Sequence, residues 1–522
     1  MKRILTLILV AVMVIGIFAG CGGKEETKKN DAPDGFSVGY AKVDITPSAD
    51  RTLPLVGGND EKTRVATGVL ERLYATCTAM TDDEGNTVIL FALDTHGIGK
   101  DFISGVRNAI KEKTGIEGKY VQMTASHTHQ GPPLTPSGYG YADGLPHMVE
   151  VIDKCAAAAE EALKDRKLAK MSVGHTRVPD LNKVRYYYLE DGTLLGTHKT
   201  AAHAPYYGQA YHPDDLLQLV KFTREGGKDV VLINWQGHYR GNPEGQYTMY
   251  SSDLMGVLRN QLLDQAGCES MVIMGAGGNS SHHSSYPELN NARNADYKVV
   301  GEILAKEALL ALNDGMRDAE TGKVTLEENI FHIQTNKNDY NLYTFGIGDV
   351  GFCMMPYEPF QSLGMAVRDE SPYAMTFIGS CANGNDSNFY LPDAAAYDSE
   401  GATPEAKGYG VSYKYVKGDS DLFHEQYMQM LKKCFENGTT EKKEKAEGYV
   451  TDKEPYADPT EYLNAGVAPK LVKNGLYQLQ TVKGGNVKVL LIDGKEVAEE
   501  LSKMTTFKVL MDNRDIVVGI QK

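Results

Sequence analysis

The chain of 522 residues lacks several features that would assign it to a common class of protein. Acidic residues outnumber basic ones by 69 to 54, the net charge is −15, and no basic stripe is present, so no nucleic-acid partner is expected. The seven cysteines form no CxxC pair, so neither a structural zinc knot nor a dense disulfide framework is indicated. Buried free thiols are expected instead. Internal repeats and coiled-coil heptads are also absent.

Long apolar runs are scarce, and the clearest one covers residues 4–18. Lys2 and Arg3 precede it, and the small residues Ala19 and Gly20 followed by Cys21 come after it. This layout is typical of a lipoprotein signal peptide at residues 1–20, and the run is too short for a comfortable membrane-spanning helix. A plain signal peptide and a signal anchor are the alternatives. We expect Cys21 to carry a lipid that anchors the protein, outside the cytoplasm, to the bacterial cell membrane.

Composition divides the rest of the chain into four parts. Residues 21–36 are charged and poor in apolar side chains, as in a flexible tether. Residues 37–438 are globular in composition and long enough for one large domain. Residues 439–460 are polar and proline-bearing, which indicates a linker, and residues 461–522 predict a small β-rich module.

Apolar runs and amphipathic stretches alternate within the large domain. Short β-branched runs predict strands at 87–93, 120–124, 230–235 and 271–275. Helical periodicity predicts helices at 103–113, 149–165, 254–265, 297–312 and 421–436. The alternation favours an α/β domain with a largely parallel core.

Two histidines follow the strand predicted at 120–124. In the segment Ser126-His127-Thr128-His129, both imidazoles project to one side if the strand geometry persists. Such a pair at a strand end is suited to metal binding, with one ring as ligand and the other acting on a substrate. Hydrogen-bonded core histidines would give the same pattern.

Two further windows carry side chains that could bind a metal. His238 follows a predicted buried strand that ends in Trp235, the only tryptophan of the chain. Sites of α/β proteins are found at such strand ends, although a capping histidine is equally compatible. Glu358 lies between Pro356 and Pro359, which fix the backbone on both sides. It could be a ligand, a base or a solvent-facing turn residue.

A glycine-rich turn at 275–278 precedes Ser281 and His282. The neighbouring serine and histidine raise the alternative of a serine hydrolase. The pattern is not G-x-S-x-G, however, and a nucleophilic serine needs a base held in the right geometry rather than a neighbour in sequence.

Taken together, these windows resemble the neutral ceramidase family. The similarity begins at Gly39-Tyr40-Ala41-Lys42-Val43-Asp44-Ile45-Thr46-Pro47 and runs in order to about Tyr409. Between these ends it includes Leu73-Tyr74-Ala75, Asp94, the two histidines, Asn182 to Arg185, Asn234 to His238, Ser252-Asp253, the Ser281 turn, Glu358 and Tyr390-Leu391-Pro392.

The resemblance implies a zinc-dependent hydrolase in which a metal-activated water cleaves the amide bond of a ceramide-like N-acyl lipid. Residues 37–438 would be its catalytic domain. The implied zinc ligands are His127, His238, Glu358 and Tyr390. His129 would relay a proton, Arg185 and Tyr409 would hydrogen-bond the oxyanion, and Ser281 would contact the substrate.

The chain departs from the family pattern near the expected substrate pocket. Gln130 and His282 stand where the family has serine and proline, and Gly410 follows Tyr409 in place of glutamate. These changes leave the implied metal ligands intact. The other hypotheses are a solute-binding surface lipoprotein, a family member that has lost activity, and a serine hydrolase that would survive complete removal of zinc.

Overall fold

A computed structural model describes most of the chain from residue 32 onward. The described residues are 32–56, 64–179, 181–189, 194–196, 206–209, 213–238, 247–281, 296–333, 337–384, 390–399, 410–411, 414–438 and 441–450, with six short strands between 467 and 519. They belong to the unit Ala32–Lys522. Cys21 and Tyr409, both named above, lie outside the described residues.

The centre of the molecule is a nine-stranded sheet. Its strands are β1 Ser37–Asp44, β2 Tyr74–Thr81, β3 Thr87–Leu93, β4 Val121–Ala125, β5 Lys167–Arg177, β6 Leu216–Arg224, β7 Val230–Trp235, β8 Glu269–Met274 and β9 Arg317–Ala319. The order across the sheet is β8-β7-β6-β5-β1-β2-β3-β4, and β9 also pairs with β5.

The expectation of a largely parallel core was wrong. Only β3 with β4 and β7 with β8 run parallel in this sheet, whereas the other pairs are antiparallel. Two of the antiparallel pairs, β2–β3 and β6–β7, are hairpins with short connections, and the turn at Asp82–Asn86 that connects β2 to β3 is closed by the Asp82 N–H on the Asn86 carbonyl. Parallel strands need a crossover connection, and one helix lies between β3 and β4 and another between β7 and β8 along the chain.

A second, four-stranded sheet packs on the first. Its strands are β10 Val324–Ile333, β11 Asn338–Ile347, β12 Val350–Met354 and β13 Met375–Gly379, in that order. The two sheets share one apolar core, in which Leu232 and Ile273 of the first lie with Phe352 and Phe377 of the second. The side-chain amide of Asn234 crosses this interface by donating to the carbonyl oxygens of Ile273 and Ile378.

Helices cover the outer faces of both sheets. They are α1 Lys100–Thr114, α2 Gly144–Lys164, α3 Asp253–Ala266, α4 Tyr297–Asp314, α5 Gln361–Glu370, α6 Ala394–Asp398 and α7 Asp419–Gly438. α1 and α2 share a core with β2 and β3, α3 and α4 with β6 and β7, and α5 and α7 with the second sheet. The layers are therefore helix, sheet, sheet and helix, which confirms the α/β class.

Several smaller expectations can be compared with the fold. Strand pairs Val467–Val472 with Leu476–Thr481, Leu491–Ile492 with Lys495–Glu496, and Thr506–Met511 with Arg514–Gly519 confirm the β-rich C-terminal region. The predicted domain boundaries remain predictions. The six described cysteines are buried, as expected, and none of them forms a disulfide. Within the described part of the chain, no helix has the length and apolarity required to span a membrane.

Candidate metal centre

The candidate site begins where β3 and β4 end. Because these strands are parallel neighbours, their carboxyl ends meet at one edge of the sheet, and the segments that follow carry His96 and His127. His127 adopts a φ of +61°, a left-handed conformation that costs a non-glycine residue about 1–3 kcal/mol. Its N–H donates to the Thr95 carbonyl at 2.9 Å, which holds it there. The strand ends at Ala125, so the strand geometry on which the expected same-side projection of His127 and His129 depends does not persist to His129.

The His127 ring is oriented by the chain beside it. Its Nδ1 lies 2.8 Å from the carbonyl oxygen of His96, and that oxygen can only accept, so Nδ1 carries the proton. In the neutral ring this leaves the lone pair on Nε2. A hydrogen bond of this kind is the usual way in which a protein fixes the tautomer of a metal-binding histidine.

His238 reaches the same pocket from the end of β7. Its Nε2 lies 3.1 Å from Nε2 of His129, and its Nδ1 lies 3.7 Å from Oε2 of Glu358. Behind it, the Gln236 side chain accepts a hydrogen bond from the Ala276 N–H at 2.7 Å and donates to Asn234 at 3.0 Å. The segment that carries His238 is thus tied to the glycine-rich turn that follows β8.

Glu358 and Tyr390 are brought together by a short parallel pairing. Strand Glu358–Pro359 pairs with Tyr390–Leu391, so that Glu358 stands directly opposite Tyr390. The carboxylate oxygen Oε2 of Glu358 lies 3.2 Å from Nε2 of His127. The Tyr390 ring is stacked toward the His238 ring, with centroids 6.4 Å apart and an interplanar angle of 28°. All four residues implied as ligands therefore lie at one pocket.

The charges in this pocket are strongly coupled. Burial lowers the pKa of His127, but the Glu358 carboxylate and Cys381 beside the ring together outweigh burial and hold that pKa well above its usual value. Burial, followed by the nearby positive charge of His127, holds the pKa of His238 well below its usual value. The pocket therefore favours the protonated form of His127 and the neutral form of His238.

The donor atoms fit a metal ion. His127, His238 and Glu358 are all buried, and their ligand atoms lie within 4.8 Å of one another. Nδ1 of His238 and Oε2 of Glu358 are buried without a hydrogen bond, which is costly unless another partner satisfies them. Two imidazoles and a carboxylate form a donor set suited to zinc and similar divalent cations.

Two other predicted residues lie beside the pocket. The pair Lys183–Val184 runs antiparallel to Ser280–Ser281, and the Arg185 side chain donates from Nε to the Ser280 carbonyl at 3.0 Å. The positive charge of Arg185 also lowers the pKa of His238, after burial and His127. Ser281 is buried next to this pairing.

His96 lies in the pocket but was missed by sequence reasoning. Its ring centroid lies 4.1 Å from that of His127 and 4.9 Å from that of His129. His96 has no second histidine beside it in sequence, and the nearby Asp94 is paired with Arg259, so no motif marked it. The available signal was its position three residues after β3, at the same sheet edge as His127.

Comparisons with known proteins agree with this architecture. No family model matches the chain, and no curated protein matches it in sequence. Among solved structures, neutral ceramidase from Pseudomonas aeruginosa is similar with a TM-score of 0.59 and 12% identity, over 82% of this chain and 78% of that one. A ceramidase complexed with C2 is similar with a TM-score of 0.58 and 13% identity, over 82% and 79%. The resemblance seen in the motifs is confirmed at the level of architecture: this chain has the fold of neutral ceramidase.

Proposed function

We propose that the chain is a zinc-dependent hydrolase that cleaves the amide bond of an N-acyl lipid of the ceramide type. The observation that carries this proposal is the buried group of His127, His238 and Glu358, whose donor atoms face one another at one pocket of a ceramidase-like fold. If the cluster were merely structural, Nδ1 of His238 and Oε2 of Glu358 would stay buried without hydrogen bonds, which would destabilise the fold.

The metal would be held by His127, His238, Glu358 and Tyr390. His127 offers Nε2, because its Nδ1 proton is donated to the His96 carbonyl. His238 and Glu358 offer the two buried atoms that lack hydrogen bonds. When bound, a zinc ion supplies Lewis-acid activation of water and of the carbonyl group.

Other side chains would move protons and stabilise charge. Nε2 of His129 lies 3.1 Å from Nε2 of His238, beside the proposed metal position, and we assign His129 the transfer of a proton to the leaving amine. Its backbone carbonyl is fixed by the Arg64 guanidinium at 2.9 Å. Arg185 and Tyr409 are assigned to the developing oxyanion, and Ser281 to contact with the substrate.

A lipid substrate is consistent with the location proposed for the protein. With Cys21 lipidated, the chain would be held at the bacterial cell membrane outside the cytoplasm, where N-acyl lipids are within reach. Incorporation of a labelled fatty acid into the wild type but not into Cys21→Ser would support this location. Equal labelling of both proteins would refute it.

The decisive experiment combines metal content and turnover. The full chain in detergent is assayed on a fluorogenic ceramide and on simpler N-acyl amines, beside His127→Asn and, as a control, the exposed His332→Asn. We expect one zinc per chain, and loss of both zinc and turnover in His127→Asn only. Turnover that resists chelation and disappears in Ser281→Ala would favour the serine mechanism. Lipid binding without any turnover would favour a binding protein.

A further inference from the structure

The pocket holds more imidazoles than the proposed zinc ligands require. His96, His127 and His129 are buried, and each offers a ligand atom within 4.8 Å of those of the other two. Their ring centroids are 4.1, 4.9 and 5.1 Å apart. This group has only His127 in common with the group of His127, His238 and Glu358, so two sets of donors overlap at one residue.

His127 cannot serve both sets at once. Its Nδ1 proton is donated to the His96 carbonyl at 2.8 Å, so the neutral ring has one lone pair, on Nε2. A neutral imidazole with one lone pair binds one cation. The two sets are therefore alternatives, and the pocket takes one ion per chain in either of two positions.

The two positions differ in chemistry. The first offers two nitrogens and a carboxylate oxygen, whereas the second offers three imidazole nitrogens. Selectivity among divalent first-row metals depends on ligand type and geometry: imidazole suits nickel as well as zinc, whereas catalytic zinc sites also accept a carboxylate beside two imidazoles. We propose that the pocket has a second, three-histidine cation position at His96, His127 and His129, and that Ni²⁺ occupies it in preference to the position at Glu358.

The backbone of the second group is held in place, as a preformed metal site requires. Asp94, two residues before His96, forms a buried ion pair with Arg259, with Oδ1 3.0 Å from Nη1. The hydroxyl of Thr95 donates to the Pro132 carbonyl at 2.9 Å, which links the two histidine segments. The guanidinium of Arg64 donates to the His129 carbonyl at 2.9 Å.

The test is a comparison of Zn²⁺ and Ni²⁺ affinities of the metal-free full chain, measured by calorimetry. The proteins are the wild type, His96→Asn, Glu358→Gln and, as a control outside the pocket, His332→Asn. We expect His96→Asn to weaken Ni²⁺ binding about 10-fold or more while Zn²⁺ binding changes little. Glu358→Gln should instead weaken Zn²⁺ binding while Ni²⁺ binding changes little. Equal losses for both ions in each variant, or no loss for Ni²⁺ in His96→Asn, would overturn the inference.

A second experiment uses diffraction from the wild type alone, so its result does not depend on whether the variants fold. Wild-type crystals soaked in Ni²⁺ or in Zn²⁺ are measured at the absorption edge of each metal. A nickel peak among His96, His127 and His129, separate from the zinc peak, supports the second position; a shared peak overturns it. Neither readout depends on amide hydrolysis, so the proposed function can fail without affecting this result.

Discussion

Replacing Gly278 with alanine tests whether the glycine-rich turn sets the position of Glu358. A Cβ atom at residue 278 would lie 2.5 Å from the Glu358 carbonyl oxygen and 2.9 Å from that of Pro359. Both are backbone atoms, and the Gly278 N–H donates to the Pro359 carbonyl at 2.8 Å, so the turn cannot retreat without breaking that bond. Ordinary contact begins at 3.4 Å. One segment must therefore shift by about 1 Å. A displacement of this size typically lowers the metal affinity or the activity of a site about 10- to 100-fold.

The assay is a zinc competition titration of Gly278→Ala, together with denaturant unfolding in the presence of a chelator. We expect zinc affinity to fall about 10- to 100-fold and stability to fall by about 1–3 kcal/mol, the usual cost of overpacking. Two glycines provide matched controls. Gly227→Ala meets only the side-chain atoms of Arg224 and Lys167, at 3.3 Å or more, and should change neither quantity.

The second control separates instability from displacement of the ligand. A Cβ at Gly39 would clash with the Ala162 backbone in α2, far along the chain from every proposed ligand. Gly39→Ala should therefore lose stability and keep its zinc affinity. If Gly278→Ala is destabilised but binds zinc as tightly as the wild type, the turn does not position Glu358, and the reasoning fails.

Three further predictions concern stability. His147 is 1% exposed, and burial, followed by the Arg51 guanidinium on its Nδ1, lowers its pKa to about 4. Between about pH 4 and about pH 6.5 the unfolded chain binds more protons at this histidine than the folded chain does. The stability present above pH 6.5 is therefore lost as the pH falls, by up to about 3 kcal/mol. His147→Asn should flatten this slope of stability against pH in denaturant titrations, and an unchanged slope would contradict the prediction. Asn234→Ala removes hydrogen bonds from two buried carbonyls and should cost about 2–5 kcal/mol, whereas a cost below 1 kcal/mol would show that the interface tolerates unpaired groups. Zinc at about 100 times its dissociation constant should stabilise the wild type by about 2.7 kcal/mol and leave Glu358→Gln almost unchanged, measured by unfolding with and without chelator.

Secondary-structure elements could be predicted from the sequence where a short stretch of residues is enough to specify them. Strands β3 and β7 were placed correctly because short β-branched runs carry their own periodicity, and Gly267 ends α3 with a φ of +65° at the position expected for a stop. Strand pairing could not be predicted in the same way. A hairpin and a crossover give similar local patterns, and only the tertiary fold decides which neighbour a strand takes.

The site shows the same division. His127, His238 and Glu358 were found because each lies beside a strand-end or proline motif that can be seen in sequence. His96 was missed because its contact with His127 depends on the parallel pairing of β3 with β4. The left-handed φ of His127 could not be predicted either. Histidine does not favour this conformation as glycine does, and the hydrogen bond from its N–H to the Thr95 carbonyl holds it there.

The closure of the main sheet has a consequence for how the protein folds and unfolds. Although β4 and β8 are the two ends of the strand order, residues 380–382 join them: Thr124 donates to the Ser380 carbonyl at 2.6 Å, and the Ser380 N–H donates to Met274 at 2.9 Å. The proposed ligands therefore meet only after segments more than 200 residues apart have docked. Because the metal site is complete only when these segments have docked, we expect a bound cation to act mainly on the native side of the folding barrier. It would leave the folding rate almost unchanged and slow the unfolding rate, so the metal would lengthen the life of the native state instead of guiding its formation.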